Sequence, residues 1–436
     1  MTEVFQLADM LVRDDGRVPK ERYTSHEFAE LEMERLWYRV WQIACREEEL
    51  SGPGSYLEYR IGDQSILLVR NADESIRAFH NACLHRGTRL AEGSGSFDAD
   101  TISCRYHAWQ YSLDGKLVEI VDAEEFGAIP EGLCLAPVRV GSWGGFVFVN
   151  LDPGAEPLED FLGPVADLLA PYHLDRMRLR GYRTTVLPAN WKAVVDAFNE
   201  AYHVQGTHPQ ILPWTDDTSI EYEQLGKHAH YGRLPGARRR LQGSPRVPAP
   251  EGVDEGAILR ALVAGLGGAF LGDERALVDE LVAEGLPAGE LLPAYQRRRM
   301  ALLADRGLDV SGFEPEQMTS AEDPFVFPNI VGPLYPGSAI VFRARPLGLD
   351  PDQAIHDTWV LETPRPDAPA REVEHRVYQD WHEIDWGPIT NQDYANMAEV
   401  QIGMKSLGFD ALRLNPRQES NLLHMHRVID QYLQKA

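Results

Sequence analysis

Two short runs constrain this 436-residue chain more than any other feature: Cys83-Leu84-His85-Arg86-Gly87 and Cys104-Arg105-Tyr106-His107-Ala108-Trp109. Each carries one thiol and one imidazole at close spacing, and eighteen residues separate His85 from Cys104. Such groups converge only if a scaffold folds the two loops together. The flanking sequence predicts one: Tyr56–Ile61, Ser65–Val69, Ile76–Phe79 and Phe146–Leu151 are rich in branched and aromatic residues. Gly62-Asp63, Asn71-Ala72-Asp73 and Asp114-Gly115 supply turns between them, the pattern of a small all-β domain. Two thiols and two imidazoles can hold tetrahedral zinc, but the usual zinc pattern pairs Cys with Cys and His with His. Mixed loops suit a [2Fe–2S] cluster in which one iron takes two thiolates and the other two histidines.

Composition removes other readings. Only Cys45 and Cys134 remain besides these two, so a disulfide framework is excluded and a reducing, cytoplasmic setting is expected. Both are read as small buried hydrophobes. Lys and Arg number 42 against 67 Asp and Glu, a net charge of −25, which argues against binding nucleic acid. Met1–Arg17 carries four acids and no apolar run, so no targeting segment is expected. The longest uncharged run, 324–342, has the length of a membrane span but contains Pro324, Pro328, Pro333 and Pro336. It is read as buried strand and turn, and no membrane association is expected.

Elsewhere the texture is mixed. Residues 20–48 read as helix, capped by Ser25. A Pro-rich join at 151–157 leads to strand-like 179–187 and a helix from Asn190 to Val204. An Arg-rich loop at 232–250 and helices over 255–306 follow. Strand-like 325–346, 354–362 and 373–382 precede a helix at 391–407 and an amphipathic one at Ser420–Gln434.

Asn199-Glu200-Ala201-Tyr202-His203 continues to Val204-Gln205-Gly206-Thr207-His208-Pro209. Five positions on one α-helix would put the two imidazoles about 140° apart. A stop near Gly206 would let the chain fold His208 back beside His203. Two histidines and one carboxylate on an octahedral ferrous ion leave a face open for dioxygen and substrate. The best acid is Asp393 in Thr390-Asn391-Gln392-Asp393, although Thr390-x-x-Asp393 also reads as a helix-start cap. Asp385 and Glu383 compete on chemistry alone.

Taken together, the two loops and the 190–209 and 391–407 segments resemble Rieske non-heme iron oxygenases, the ring-hydroxylating oxygenase α-subunit family. Phe327-Pro328-Asn329 also resembles a strand segment of that family. The resemblance covers about residues 20–220 and 320–434. It implies an α+β chain with three parts. Residues 1–45 form a helical segment on the catalytic domain, and 46–155 an all-β Rieske [2Fe–2S] domain. Residues 156–436 form a catalytic domain with an antiparallel sheet flanked by helices, START-like or helix-grip, with 225–318 as a helical insertion near the active-site entrance.

The same resemblance implies that Cys83, His85, Cys104 and His107 hold the cluster, and that His203, His208 and Asp393 hold a mononuclear Fe(II). Glu200 is implied as the bridge carrying electrons from a neighbouring subunit's cluster, within a homotrimer with or without a β-subunit. Electrons would come from NAD(P)H through a separate reductase, with or without a ferredoxin, since no Gly-x-Gly-x-x-Gly is present. The expected reaction is hydroxylation of an apolar aromatic or alicyclic small molecule by O₂, as in aromatic hydrocarbon catabolism. The alternative is O- or N-demethylation of a methylated or quaternary ammonium substrate. Readings of another class are a Rieske electron carrier and a zinc-stabilised binding protein. His85 and His107 are expected to donate their second ring nitrogens to acceptors.

Overall fold

The computed structural model describes residues 7–97, 100–213, 215–232, 243–248, 254–265, 270–287, 289–369 and 373–435. Two compact units result, one of residues 32–161 and one combining residues up to 31 with those from 162 onward.

The smaller unit is built from three sheets. The four-stranded one has Ser55–Ile61 and Gln64–Arg70 as an antiparallel pair, flanked by Ser94–Ser96 and Ile76–His80. Thr101–Ser103, Gln110–Ser112 and Leu117–Glu119 form a second sheet. In the third, Phe146–Asn150 lies between Arg139–Trp143 and Gln42–Arg46. That last strand corrects the expected helix over 20–48. Helical structure covers Glu21–Thr24 and His26–Glu32, with Ser25 Oγ accepting the Phe28 N–H, and continues as a wider turn through Trp37. Gln42–Arg46 is buried at every position, and a strand buried on both faces carries no alternation to separate it from helix.

The larger unit centres on a sheet ordered Ile330–Val331, Ser338–Leu347, Asp350–Glu362, Arg178–Leu187, His375–Tyr378. All these neighbours are antiparallel except the last pair, which is parallel. The uncharged run thus supplies buried strands and turns; Phe327-Pro328-Asn329 lies in a turn, not a strand. One face of the sheet is pinned by Asp357, which accepts from Thr184, Arg343 and Arg345. Burial alone would raise its pKa, but the two guanidinium groups hold it well below the carboxylate range. The opposite face receives Trp191–Ala197, Pro388–Met404 and the aromatic rings around them.

Helices Glu255–Gly265, Glu274–Ala283 and Leu291–Asp305 pack mainly on one another, through Leu259, Phe270, Val278, Leu281 and Tyr295. Among them lies a buried ion pair, Arg299 Nε to Glu274 Oε1 at 2.7 Å, with the Tyr295 hydroxyl donating to the same carboxylate. The expected insertion 225–318 also contains a strand, His228–Gly232, paired with Glu221–Leu225. Helix Ser420–Gln434 buries Leu422, Met425, Ile429 and Leu433 on one face. Each such burial contributes about 1.5–3 kcal/mol. Its Asp430 pairs with buried Arg22.

Candidate metal centres

In the smaller unit the two Cys/His loops share one backbone design. Cys83 N–H donates to Thr88 O (2.8 Å) and Gly87 N–H returns to Cys83 O (2.8 Å); Cys104 N–H donates to Trp109 O (2.8 Å) and Ala108 N–H returns to Cys104 O (3.0 Å). The residue four past each cysteine has positive φ, +75° at Gly87 and +56° at Ala108. The left-handed conformation is free for glycine and costs alanine about 1–2 kcal/mol. The His85 and His107 rings meet edge to face at 4.6 Å, and His85 stacks on Trp109 at 4.9 Å.

The Cys83 thiol is buried, with Cys104 beside it; burial pushes its pKa up, against a hydrogen bond with Tyr111. The Tyr111 hydroxyl lies 3.2 Å from Cys83 Sγ and accepts the Leu84 N–H at 3.0 Å. His85 Nδ1 is enclosed and has no hydrogen-bond partner. A buried imidazole nitrogen without a hydrogen-bond partner is free to act as a ligand, and two thiols with two imidazoles fit a [2Fe–2S] cluster. The expected acceptors for the second ring nitrogens are not found among the described residues; ring stacking orients these histidines instead. Cys45 is buried as read, whereas Cys134 is exposed at the sheet margin, beside the Asp114 carbonyl.

The larger unit builds its site at the end of a helix. Asn190 caps Trp191–Ala197 by accepting the Lys192 N–H, while its own amide donates to Tyr23 O and Pro351 O. That helix stops at Ala197, six residues before His203 and earlier than the sequence predicts. A single helical turn, Val204–Thr207, then places His203 and His208 at its two flanks. Gly206 lies inside that turn and terminates nothing. His203 is still helical, whereas His208 leaves the helix at φ −122° and ψ 48°, so its imidazole does not follow α-helical spacing and the two rings stand 5.1 Å apart.

Asp393 projects from Pro388–Met404 to meet them. Gly387 and Pro388 begin that helix, so Asp393 sits in its second turn and is not a cap. The donor atoms of His203, His208 and Asp393 all lie within 4.8 Å of one another, and the acid is buried. The rival acids are used locally: Asp385 accepts from Gly387 N–H and Asn391, and Glu383 from Gln379 and Asp380 N–H groups.

Each imidazole is oriented from behind. Glu200 Oε1 lies 2.7 Å from His203 Nδ1, and its Oε2 accepts the His203 N–H at 3.0 Å. Gln392 Oε1 lies 2.9 Å from His208 Nδ1 and also accepts from Gln210. Acceptors on both Nδ1 atoms place the protons there and turn both Nε2 lone pairs towards Asp393. Burial disfavours a charged His203, but the Glu200 hydrogen bond and the Glu200 and Asp393 charges outweigh it and hold its pKa above the ordinary value. The pocket is therefore negative and receptive to a cation, and the two-histidine, one-carboxylate set fits ferrous iron. Gln392 was inside the quoted motif without a role; its position next to Asp393 was the available signal.

A cavity of about 290 Å³ opens on the sheet face covered by this helix, lined by Arg180, Arg183, Phe342, Thr358, Trp386 and Thr390 among others. Thr390 is one turn before Asp393, and Phe342 stacks at 4.5 Å on Phe198, which begins the segment leading to Glu200. Among the described residues none of its lining comes from 256–305. The Arg-rich loop lies largely outside the described residues; its Arg246 pairs with the buried Asp217 at 2.8 Å.

Both parts of the chain are similar to known proteins. The catalytic domain of the ring hydroxylating alpha subunit matches residues 174–435, and the Rieske [2Fe-2S] domain matches 40–130. The glycine betaine monooxygenase oxygenase subunit of Chromohalobacter salexigens is 29% identical over 92% of this chain and 83% of its own length. The carnitine monooxygenase oxygenase subunit of Escherichia coli is 37% identical over 44% of this chain and 52%, about half, of its own. The solved structure of a quaternary ammonium Rieske monooxygenase with L-carnitine shares the fold over 99% of this chain and 100% of that one, at 20% identity and a TM-score of 0.68. No helix among the described residues is long and apolar enough to cross a membrane. With more than half its length matched by the catalytic domain and a cluster domain preceding it, the chain belongs to the ring-hydroxylating α-subunit family of Rieske oxygenases and is a terminal oxygenase, an oxidoreductase of [2Fe–2S] cluster and mononuclear iron.

Proposed function

We propose that this oxygenase acts on a quaternary ammonium compound, oxidising a carbon bonded to the nitrogen so that the C–N bond breaks. The observation that carries the reading is the relative that aligns along nearly the whole chain, a glycine betaine monooxygenase oxygenase subunit. The expected apolar aromatic or alicyclic substrate is the weaker reading, because the cavity on the sheet face under the Asp393 helix carries the Arg183 guanidinium as well as Phe342 and Trp386. Aromatic faces attract a trimethylammonium group, whereas a hydrocarbon would make no use of the Arg183 guanidinium.

In this reading Cys83, His85, Cys104 and His107 hold the cluster, and His203, His208 and Asp393 hold the iron. When bound, the iron supplies activation of O₂ with electrons received through the cluster. The chain's own contribution is orientation. Glu200 and Gln392 keep the Nδ1 protons of His203 and His208 in place, and the aromatic wall positions the reacting carbon. Glu200 also serves as the bridge to a neighbouring subunit's cluster in a homotrimer, and a separate NAD(P)H-oxidising reductase supplies the electrons.

The test is turnover of glycine betaine and carnitine with a surrogate reductase under ¹⁸O₂. The expected products are an amine shortened at nitrogen and an aldehyde, with one oxygen atom of each O₂ inserted and the other reduced to water. Conversion of an uncharged aromatic compound to a hydroxylated product, with both ammonium compounds untouched, would overturn the reading.

A further inference from the structure

Arg180 and Arg183 enter the same cavity from one strand, Arg178–Leu187, but they are not equivalent. Arg180 is committed: its Nη1 donates to Glu362 (3.1 Å) and to the Phe270 carbonyl (2.6 Å). Among the described residues Arg183 has no carboxylate partner. Arg183 is exposed, its guanidinium lies 5.8 Å from the centre of the Trp386 ring in a cation–π contact, and its N–H donors are open to solvent and to a ligand. Strand register sets its neighbours: on one side the parallel strand His375–Tyr378 places Arg376, itself paired with Glu374, opposite it. Arg183 stands opposite Thr358 and beyond it Phe342, all on the cavity face, while the nearest acid of these strands, Asp357, points to the other face and is taken by Arg343 and Arg345.

The cavity therefore has two chemistries. Phe342 and Trp386 offer aromatic faces; Arg183 offers a planar fork of donors with no internal anion, flanked by the Thr390 and Thr358 side chains. A guanidinium of this kind matches a carboxylate in two parallel hydrogen bonds. It also repels any cation that brings no anion with it.

We propose that Arg183 determines specificity by binding the substrate's carboxylate, so that the site selects carboxylated substrates, and, resting on the reading of a quaternary ammonium substrate, zwitterions in place of simple cations. A compound with a carboxylate a few bonds from its quaternary nitrogen spans the two chemistries; one with a hydroxyl there meets an unpaired positive charge.

Binding to the purified full chain with its metals, followed by calorimetry, tests this with three probes: glycine betaine, choline, which lacks the carboxylate, and benzoate, which has the carboxylate without the ammonium group. Wild type should bind glycine betaine at least about tenfold more tightly than choline. Arg183→Gln should weaken glycine betaine and benzoate by about tenfold or more, the worth of a hydrogen bond to a charged group, and leave choline unchanged or improved. Arg183→Lys, which keeps charge and loses the fork, should fall between. An unaltered cluster spectrum shows that each variant is folded.

Equal binding of glycine betaine and choline, indifferent to Arg183→Gln, would overturn the role of Arg183 and leave the quaternary ammonium reading standing. Binding of benzoate alone, lost on Arg183→Gln, would support the carboxylate site and overturn the ammonium reading. Failure of wild type to bind either carboxylated probe would overturn the assignment of Arg183.

Discussion

His208 Nε2 lies 2.8 Å from Asp393 Oδ1, yet the two make no hydrogen bond. Gln392 Oε1 behind the ring claims the Nδ1 proton, so a lone pair faces a carboxylate lone pair inside a buried pocket. Two buried acceptors in contact repel unless a cation lies between them. With His203 Nε2 3.8 Å from the same oxygen, the arrangement is that of ligands sharing one ion.

Asp393→Ala should therefore remove about one iron per chain and abolish turnover, leaving the cluster's absorption and paramagnetic resonance spectra unchanged. Metal analysis beside the spectra checks this. Retained iron with retained oxygenation would dismiss Asp393 as a ligand.

Gln392 and Glu200 act from behind the histidines. Gln392→Ala should weaken iron binding by about 10–100-fold without removing a ligand. Competition with a ferrous chelator measures it. Gln392→Glu, which keeps an acceptor at the same reach, should recover most of the loss, an outcome that general damage to the helix would not give.

In the smaller unit, the Tyr111 hydroxyl accepts the Leu84 N–H and lies 3.2 Å from Cys83 Sγ, to which it would donate once that sulfur is a thiolate. Hydrogen bonds to cluster sulfur raise the reduction potential. Tyr111→Phe should lower it, as read by redox titration of the cluster signal, and should cost on the order of 1 kcal/mol in stability. An unchanged potential would show that the hydroxyl does not touch the cluster electronically.

Asp196 carries a pH-dependent cost. Its Oδ2 accepts from the Tyr23 hydroxyl at 2.6 Å, which also lies 2.6 Å from His426 Nε2, and its Oδ1 is enclosed without a partner. Burial raises its pKa from 3.8 to about 7, against the Tyr23 hydrogen bond and the Lys192 charge. The folded state therefore keeps a proton that the unfolded chain releases near pH 4. The stability this proton contributes is full below that point and is lost as pH rises towards 7. Asp196→Asn should flatten the difference, gaining on the order of 1–3 kcal/mol relative to wild type between pH 4 and pH 8. Denaturation midpoints of both proteins across that range test the sign; a variant that loses ground as pH rises would refute it.

The legible parts of this protein were those where chemistry and local spacing coincide. Cys83, His85, Cys104 and His107 stood out because two loops repeated one pattern, and the fold repeats one backbone design in them. Helix Ser420–Gln434 appeared with its predicted limits because a single face carries its apolar residues. Gln42–Arg46 was hidden because a strand buried on both faces has no alternation, and Cys134 because a cysteine's neighbours in sequence say nothing of its exposure.

By itself the sequence determined the donor types, the family and the presence of two metal sites, since these depend on which side chains exist and how closely they follow one another. Three-dimensional packing sets the break before His203 and brings Asp393, in the second turn of its helix, to both histidines. It also decided that Gln392 and Glu200 stand behind the rings, and that Arg183, unlike Arg180, has no described acid opposite it. Those facts depend on contacts between residues nearly two hundred positions apart, where strand register and helix packing, not local spacing, choose each side chain's neighbours.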